Sequence, residues 1–214
     1  MAGPAPESQT ANEAENKLLD SALRLFAEKG YEGTSIREII EGAGVTRPVL
    51  YYYFENKEDL FSRLVEAQFK GLATSIEEVK RQPVSCVERL KGIIKIEFSL
   101  AETNPDALGL ILQVFFSPPG QGPALDKEKL AHMRFKHIED IMFEGLEKGE
   151  FSGGDGQSLA LVFQGIMDMH VMAKSNRPET VLTSELAESL VEFFLAGAAH
   201  RATPVTNLIS PYTQ

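Results

Sequence analysis

The sequence predicts an all-α fold of about nine helices, and three observations carry that prediction. Apolar residues recur at three- and four-residue spacing in one segment after another. The breaks between segments are short runs rich in Gly, Pro, Ser and Asn, and no alternating strand pattern of useful length interrupts them. With 214 residues, 43% hydrophobic and 24% charged, the chain can bury a substantial core and has the composition of a folded protein.

Residues 1–11 mix Pro, Gly, Ala, Ser and Thr without periodicity and read as a mobile arm. From about Asn12 to Lys29, Leu18, Leu19, Ala22, Leu23, Leu25 and Phe26 mark a first helix, with Gly30 as its C-terminal stop. A short second helix opens at Thr34 and Ser35. Ser35 with Glu38 has the form of a capping box, and Ile36, Ile39 and Ile40 supply the apolar face. Gly42-Ala43-Gly44 ends it in a tight turn. Thr46 then caps a third helix with Pro48 in its first turn, and Leu50 and Phe54 share its inward face. Asn56 caps a longer fourth helix carrying Leu60, Phe61, Leu64, Val65 and Leu72.

The pattern stays helical beyond Pro83. Segments from about Ser85 to Thr103, Pro105 to Phe116 and Ala124 to Lys148 follow, the last two separated by SPPGQGP. Residues 157–174 and 184–199 form two final helices whose apolar surface exceeds one buried stripe. The domains expected are 12–56, 57–203 and a tail over 204–214.

Several classes of function are excluded or disfavoured. No segment approaches the length of a membrane span, and the N-terminal residues lack the basic and apolar regions of a signal peptide, so a cytoplasmic location is expected. The single cysteine, Cys86, rules out an internal disulfide framework and reads as a small filler. His132 and His137 lie five apart and do not share a helix face as a ligand pair would, so neither metal nor cofactor is expected. There is no HExxH pair, nucleophile elbow or phosphate-binding glycine loop, which argues against an enzyme.

Two short helices joined by a glycine turn have the form of a helix-turn-helix, in which the second helix enters the DNA major groove with its N-terminus leading. Here that helix is TRPVLYYYF. Arg47 is placed to pair with guanine, Val49 to meet a thymine methyl, and the tyrosines to contact the sugar-phosphate backbone. The charge balance opposes this: the chain carries a net −10, and residues 1–63 hold seven Lys and Arg against eleven Asp and Glu. Glu38, Glu41 and Glu55 must therefore turn away from the face that Arg37, Arg47 and Lys57 present.

From Leu18 to Leu64 the chain closely resembles the DNA-binding region of the TetR family of bacterial regulators. Phe26, Ala27, Gly30, Tyr31, Thr34, Ser35, Ala43, Gly44, Val45, Leu50, Tyr51, Phe54, Lys57 and Leu60 carry that likeness. The resemblance implies phosphate contacts from Thr34 or Ser35, Thr46, Tyr51 and Lys57. It implies base-edge contacts from Arg37, Arg47, Pro48, Val49, Tyr52 and Tyr53. Pro48 stands where many relatives have Gly or another small residue.

The same resemblance implies an effector cavity in the remaining helices, with Phe98, Phe115, Phe116, Phe135, Met142, Phe163, Met167 and His170 as candidate wall residues and an apolar or aromatic molecule as occupant. Each of these apolar residues also reads as plain core. His132, His137, Gln164 and Asp168 are further polar candidates. Ile166, Met169 and Met172 on one late helix, with Phe193, Phe194, Gly197 and Ala198 on the last, form the expected four-helix dimer interface. The function expected is that of a homodimeric regulator, a repressor of palindromic double-stranded operator DNA released by its effector, with the fourth helix linking cavity to DNA-binding region. A helical regulator that acts through a protein partner, or needs its ligand to bind DNA, is the alternative.

Overall fold

The computed structural model of the chain describes residues 6–118 and 122–198. Among these residues there are nine helices and no strand: α1 (Pro6–Gly33), α2 (Ile36–Ala43), α3 (Arg47–Tyr53), α4 (Lys57–Lys80), α5 (Cys86–Thr103), α6 (Pro105–Phe116), α7 (Lys127–Glu147), α8 (Gly156–Asn176) and α9 (Ser184–Ala198). The tail over 204–214 lies outside the described residues.

The chain divides into two compact units, one comprising residues up to Gln68 with Gly109–Leu125, the other Phe69–Leu108 with everything from Asp126 onward. The expected boundary at 56/57 falls inside the first of these units. α4 supplies its first half to one unit and its second half to the other, and α6 is likewise shared.

The first unit is built on α1. Leu18, Ala22 and Phe26 of α1 are fully buried; Ile39 of α2, Leu50 of α3, Phe54 at its C-cap and Leu60 of α4 are likewise buried, and α1 packs against α2 and α3. Phe26 packs edge-on against Phe61 at 4.9 Å, and Tyr31 adds a second edge contact to the same ring at 5.1 Å. α1 starts at Pro6 rather than Asn12, so part of the expected arm is helical, and its regular course stops at Gly30 as expected, with residues 31–33 a short turn beyond the kink. Gly30 breaks that helix with φ 71°, a conformation glycine adopts without steric cost. Gly42 is needed because α2 crosses α1 closely; a Cβ there would collide with the Ser21 hydroxyl, which donates to Ile39 O at 3.0 Å.

In the second unit, α5 packs against α7, α8 and α9, and α7 runs against α8. Ile93, Ile94, Ile138, Ile141, Met142, Phe163, Met167 and Val191 are closed to solvent. Ion pairs stitch the rim: Lys80 to Asp140 at 2.6 Å and Arg89 to Glu144 at 2.7 Å. Cys86 is buried, which pushes its thiol up to about 11, as suits a filler.

Candidate nucleic-acid interface and sensing core

The expected capping box at the start of α2 is complete. Glu38 N donates to Ser35 Oγ at 3.2 Å, and Ser35 N donates to the Glu38 carboxylate at 2.9 Å. Gly44 closes α2 in the left-handed region at φ 65°, and its N–H meets Glu41 O at 3.3 Å. The chain is thereby turned within three residues to Thr46, the N-cap of α3. Leu50 and Phe54 are buried and anchor α3 to the core.

What α3 leaves outside is largely what the sequence reading named. Thr46, Arg47 and Pro48 are exposed, and Val49 is partly so. Tyr52 is 79% exposed, and Tyr51 lies under the Arg47 guanidinium, 5.6 Å from carbon to ring centre. Tyr53 is half-buried, edge-on to Tyr52 at 4.9 Å. The Thr46 hydroxyl makes no cap hydrogen bond. On α2, Arg37 is exposed and bonded through Nε to Glu41 at 2.7 Å.

Two of the named phosphate-contact candidates are used internally. Thr34 is 2% exposed, and its hydroxyl donates to the carbonyl of Leu25 or Gly30, 3.0 and 2.9 Å away. Of the pair Thr34 or Ser35, Ser35 is the exposed member. Lys57 Nζ donates to Tyr31 O at 2.9 Å and Thr34 O at 3.0 Å, and it lies 4.0 Å from the Tyr31 ring centre. Its ammonium serves the end of α1 with two of its three protons, leaving one. Glu38, one of the acids in question, is engaged by Lys29 at 2.8 Å and by Ser35, which hold its carboxyl down at about 2. Glu41 does not turn away as expected: it pairs with the exposed Arg37 at 2.7 Å on the same face, and Glu55 is exposed.

The effector candidates divide between the units. Phe98, Met142, Phe163 and Met167 are buried together in the second unit, with Phe135 and His170 half-buried there. His170 Nδ1 lies 2.7 Å from Ile166 O, and its ring is 6.3 Å from that of Phe98. Phe115 and Phe116 belong to the first unit, and Phe116 is 57% exposed. A separate open cleft of about 540 Å³ in the second unit is lined by Leu146, Gly149, Glu150, Phe151, Ser152, Gly153 and Leu195, none of them an expected wall residue.

The dimer candidates also divide. Met169 and Phe193 are 63% and 76% exposed, Gly197 is exposed, and Ile166 and Met172 are intermediate. Phe194 corrects the set: it is buried and meets Phe163 edge-on at 5.3 Å, because adjacent residues on a helix point about 100° apart and only one of the two phenylalanines can face out. The Ala198 side chain lies outside the described residues.

A polar cluster in the second unit went largely unseen in sequence. Arg134 of α7 reaches Glu97 of α5 through Nη2 at 2.9 and 3.0 Å and Asp168 of α8 at 2.6 Å, and Gln164 Nε2 donates to Asp168 at 3.0 Å. Burial pushes Glu97 upward against the pull of Arg134. Burial opposes the charge on Arg134, and the two carboxylates outweigh it and raise its affinity for the proton. The available signal was position: Glu97 follows Leu90 and Ile94, and Arg134 lies between Ala131 and Ile138, both on apolar stripes.

The model of bacterial regulatory proteins of the tetR family matches residues 18–64, the stretch that builds the end of α1, α2, α3 and the start of α4. Residues 18–64 thus carry the DNA-binding region of that family. Relatives extend the likeness over most of the length and are transcription regulators, not enzymes. The chain is 26% identical over 178 residues to the HTH-type transcriptional repressor KstR2 of Mycobacterium tuberculosis, covering 81% of this chain and 86% of that one. It is 24% identical over 183 residues to the fatty acid metabolism regulator protein of Bacillus subtilis, covering 85% and 93%. The crystal structure of FadR from Bacillus subtilis in complex with stearoyl-CoA superposes with a TM-score of 0.72 at 23% identity, covering 85% of this chain and 97% of that one. On these likenesses the chain is a transcription regulator with an N-terminal helix-turn-helix. Among its described residues no helix is long and apolar enough to cross a membrane.

Proposed function

We propose that this regulator is a repressor that binds palindromic operator DNA as a homodimer and leaves it when a small apolar molecule occupies its second unit. The observation that carries the DNA reading is the outer face of α3, where Arg47, Tyr51 and Tyr52 stand in solvent while Leu50 and Phe54 hold the helix from behind. Arg47 reads a guanine edge, and Tyr51, Ser35 and Thr46 contact phosphates. Arg37, Pro48, Val49, Tyr52 and Tyr53 complete the base-facing set, with Lys57 adding its remaining proton. Two such helices must lie about 34 Å apart to meet successive major grooves.

Dimerisation is supported by the unpartnered apolar residues of the last two helices. Val162, Met169 and Phe193 are all more than half exposed, an arrangement suited to a four-helix contact between two copies. Phe193→Glu is expected to turn a dimer into a monomer in light scattering. An unchanged mass would place the interface elsewhere.

The effector reading is supported by Phe98, Met142, Phe163 and Met167, which gather in one unit, and by the likeness to a regulator crystallised with stearoyl-CoA. An alkyl or aromatic body is the class this environment favours. Ligand releases DNA in proportion to its preference for the dimer whose heads are misplaced, with α4 as the connecting element.

The test is recovery of fragmented source DNA by the purified chain, repeated with Arg47→Ala. A short palindrome that the wild type recovers and the variant loses, at a cost of about 1–3 kcal/mol, is expected. Equal recovery by both would remove Arg47 from base reading. No specific recovery without added ligand would favour a regulator that needs its effector to bind.

A further inference from the structure

Lys57 is the first residue of α4, and the resemblance to TetR regulators assigns its ammonium to a DNA phosphate. Its geometry serves the protein first. Nζ donates to Tyr31 O at 2.9 Å and to Thr34 O at 3.0 Å, and it stands 4.0 Å from the centre of the Tyr31 ring. Both carbonyls belong to the corner between α1 and α2. Gly30 breaks α1 at φ 71°, so the carbonyls beyond it lack the N–H groups that a continuing helix would bring. The end of a helix favours a cation, yet α1 has no basic residue in its last turn, where Glu32 adds a negative charge instead. Lys57 supplies the missing cation from another helix. Phe61, one turn further along α4, is 5% exposed and meets Tyr31 edge-on at 5.1 Å and Phe26 at 4.9 Å. Two side chains of α4, four residues apart and on one face, therefore hold the same tyrosine.

That corner sets the start of α2. Thr34 is 2% exposed, and its hydroxyl is bound to the end of α1. The next residue, Ser35, is the N-cap whose capping box with Glu38 begins α2. α2 carries Arg37, packs along α1, and is turned at Gly44 toward α3. A displacement at Thr34 is thus passed to the residues that face DNA. We propose that Lys57 is a positioning residue: by tying the first turn of α4 to the carbonyls of Tyr31 and Thr34, it sets α2 and α3 for base reading. Only its remaining proton is left for a phosphate. This inference rests on the DNA reading above and deepens it.

Two substitutions in the full chain separate the duties. Lys57→Met removes both the charge and the donors. Lys57→Gln removes the charge and keeps two amide protons on a side chain one bond shorter. A cooperative circular-dichroism melt reports that each variant is folded. Without DNA, exchange of the Glu38 and Ile39 amides, which bond Ser35 Oγ and Ser35 O, is followed by mass spectrometry or NMR. It is expected to quicken about five-fold in Lys57→Met and to return toward the wild-type rate in Lys57→Gln. With DNA, the palindromic fragment that the wild type recovers is titrated over a range of salt. Affinity extrapolated to about 1 M salt, where counterion release no longer contributes, is expected to fall about five-fold in Lys57→Met and to recover in Lys57→Gln.

Equal losses in the two variants that vanish on extrapolation to high salt would make Lys57 a phosphate charge and overturn the inference. Faster exchange in Lys57→Met with unchanged extrapolated affinity would make it a stabiliser of the corner alone and overturn the positioning role. Unchanged exchange in Lys57→Met overturns the tie itself. If the wild type recovers no operator, the DNA reading falls, while faster exchange in Lys57→Met that Lys57→Gln restores still supports the tie between α4 and the corner.

Discussion

In the first unit Arg37 and Arg47 stand in solvent, leaning on Glu41 and Tyr51, whereas in the second Arg134 is enclosed between Glu97 and Asp168. The same side chain serves opposite ends. An exposed i,i+4 pair is worth little in water, so its arginine can exchange a carboxylate for a phosphate or a base edge at small cost. A buried arginine has no such freedom, because either carboxylate left alone is an uncompensated charge. The comparison separates a surface ready to change partners from an interior that holds α5, α7 and α8 in one register.

The largest effect expected follows from the buried side of that contrast. Arg134→Ala should lose about 3–5 kcal/mol in denaturant unfolding, because it strands Glu97 and Asp168. Replacing all three charged residues by apolar ones of like volume should instead be neutral or stabilising by about 1–4 kcal/mol. If the single variant proves as stable as the wild type, the contrast between the two units disappears.

The same contrast explains what the sequence made legible. Local signals did well: Ser35 with Glu38, Gly44, Thr46 with Pro48 in the first turn, and Asn56, whose side chain accepts from Asp59 N at 2.9 Å, bracket α2, α3 and α4 as read. Each concerns residues within a turn of one another. The α7 start moved from Ala124 to Lys127 because Asp126 is the better cap, accepting from Lys129 N at 2.9 Å. Glu97 and Arg134 are 37 residues apart and Arg134 and Asp168 34, so nothing local announces that they meet. Thr34 and Lys57 matched a family pattern, and their motif positions did not reveal that their polar groups serve Leu25, Gly30 and Tyr31.

A smaller effect is expected where Glu41 covers Arg37. Glu41→Gln removes the competing carboxylate at 2.7 Å and one negative charge from the proposed DNA face. Operator affinity in a gel-shift titration should rise about two-fold at low salt, the gain fading as salt increases. A fall in affinity would mean that Glu41 positions Arg37 rather than competing for it.

The smallest and most local effect concerns Glu38. Lys29 first, then Ser35, hold its carboxyl at about 2, below the ordinary value of 4.5. A carboxyl depressed in the folded state binds protons more readily when unfolded, so its contribution to stability is present above pH 4.5 and is lost as pH falls from 4.5 toward 2. Both partners of the Lys29 pair are more than a third exposed, so salt screens much of this. Hydrogen exchange at the α2 amides should therefore lose some protection through that acid window, and Glu38→Gln should flatten the dependence. An unchanged acid profile in Glu38→Gln would assign the loss to other carboxylates of the unit. The capping box would then count as a geometric stop for the chain at α2, with little electrostatic weight in holding the helix that supports α3.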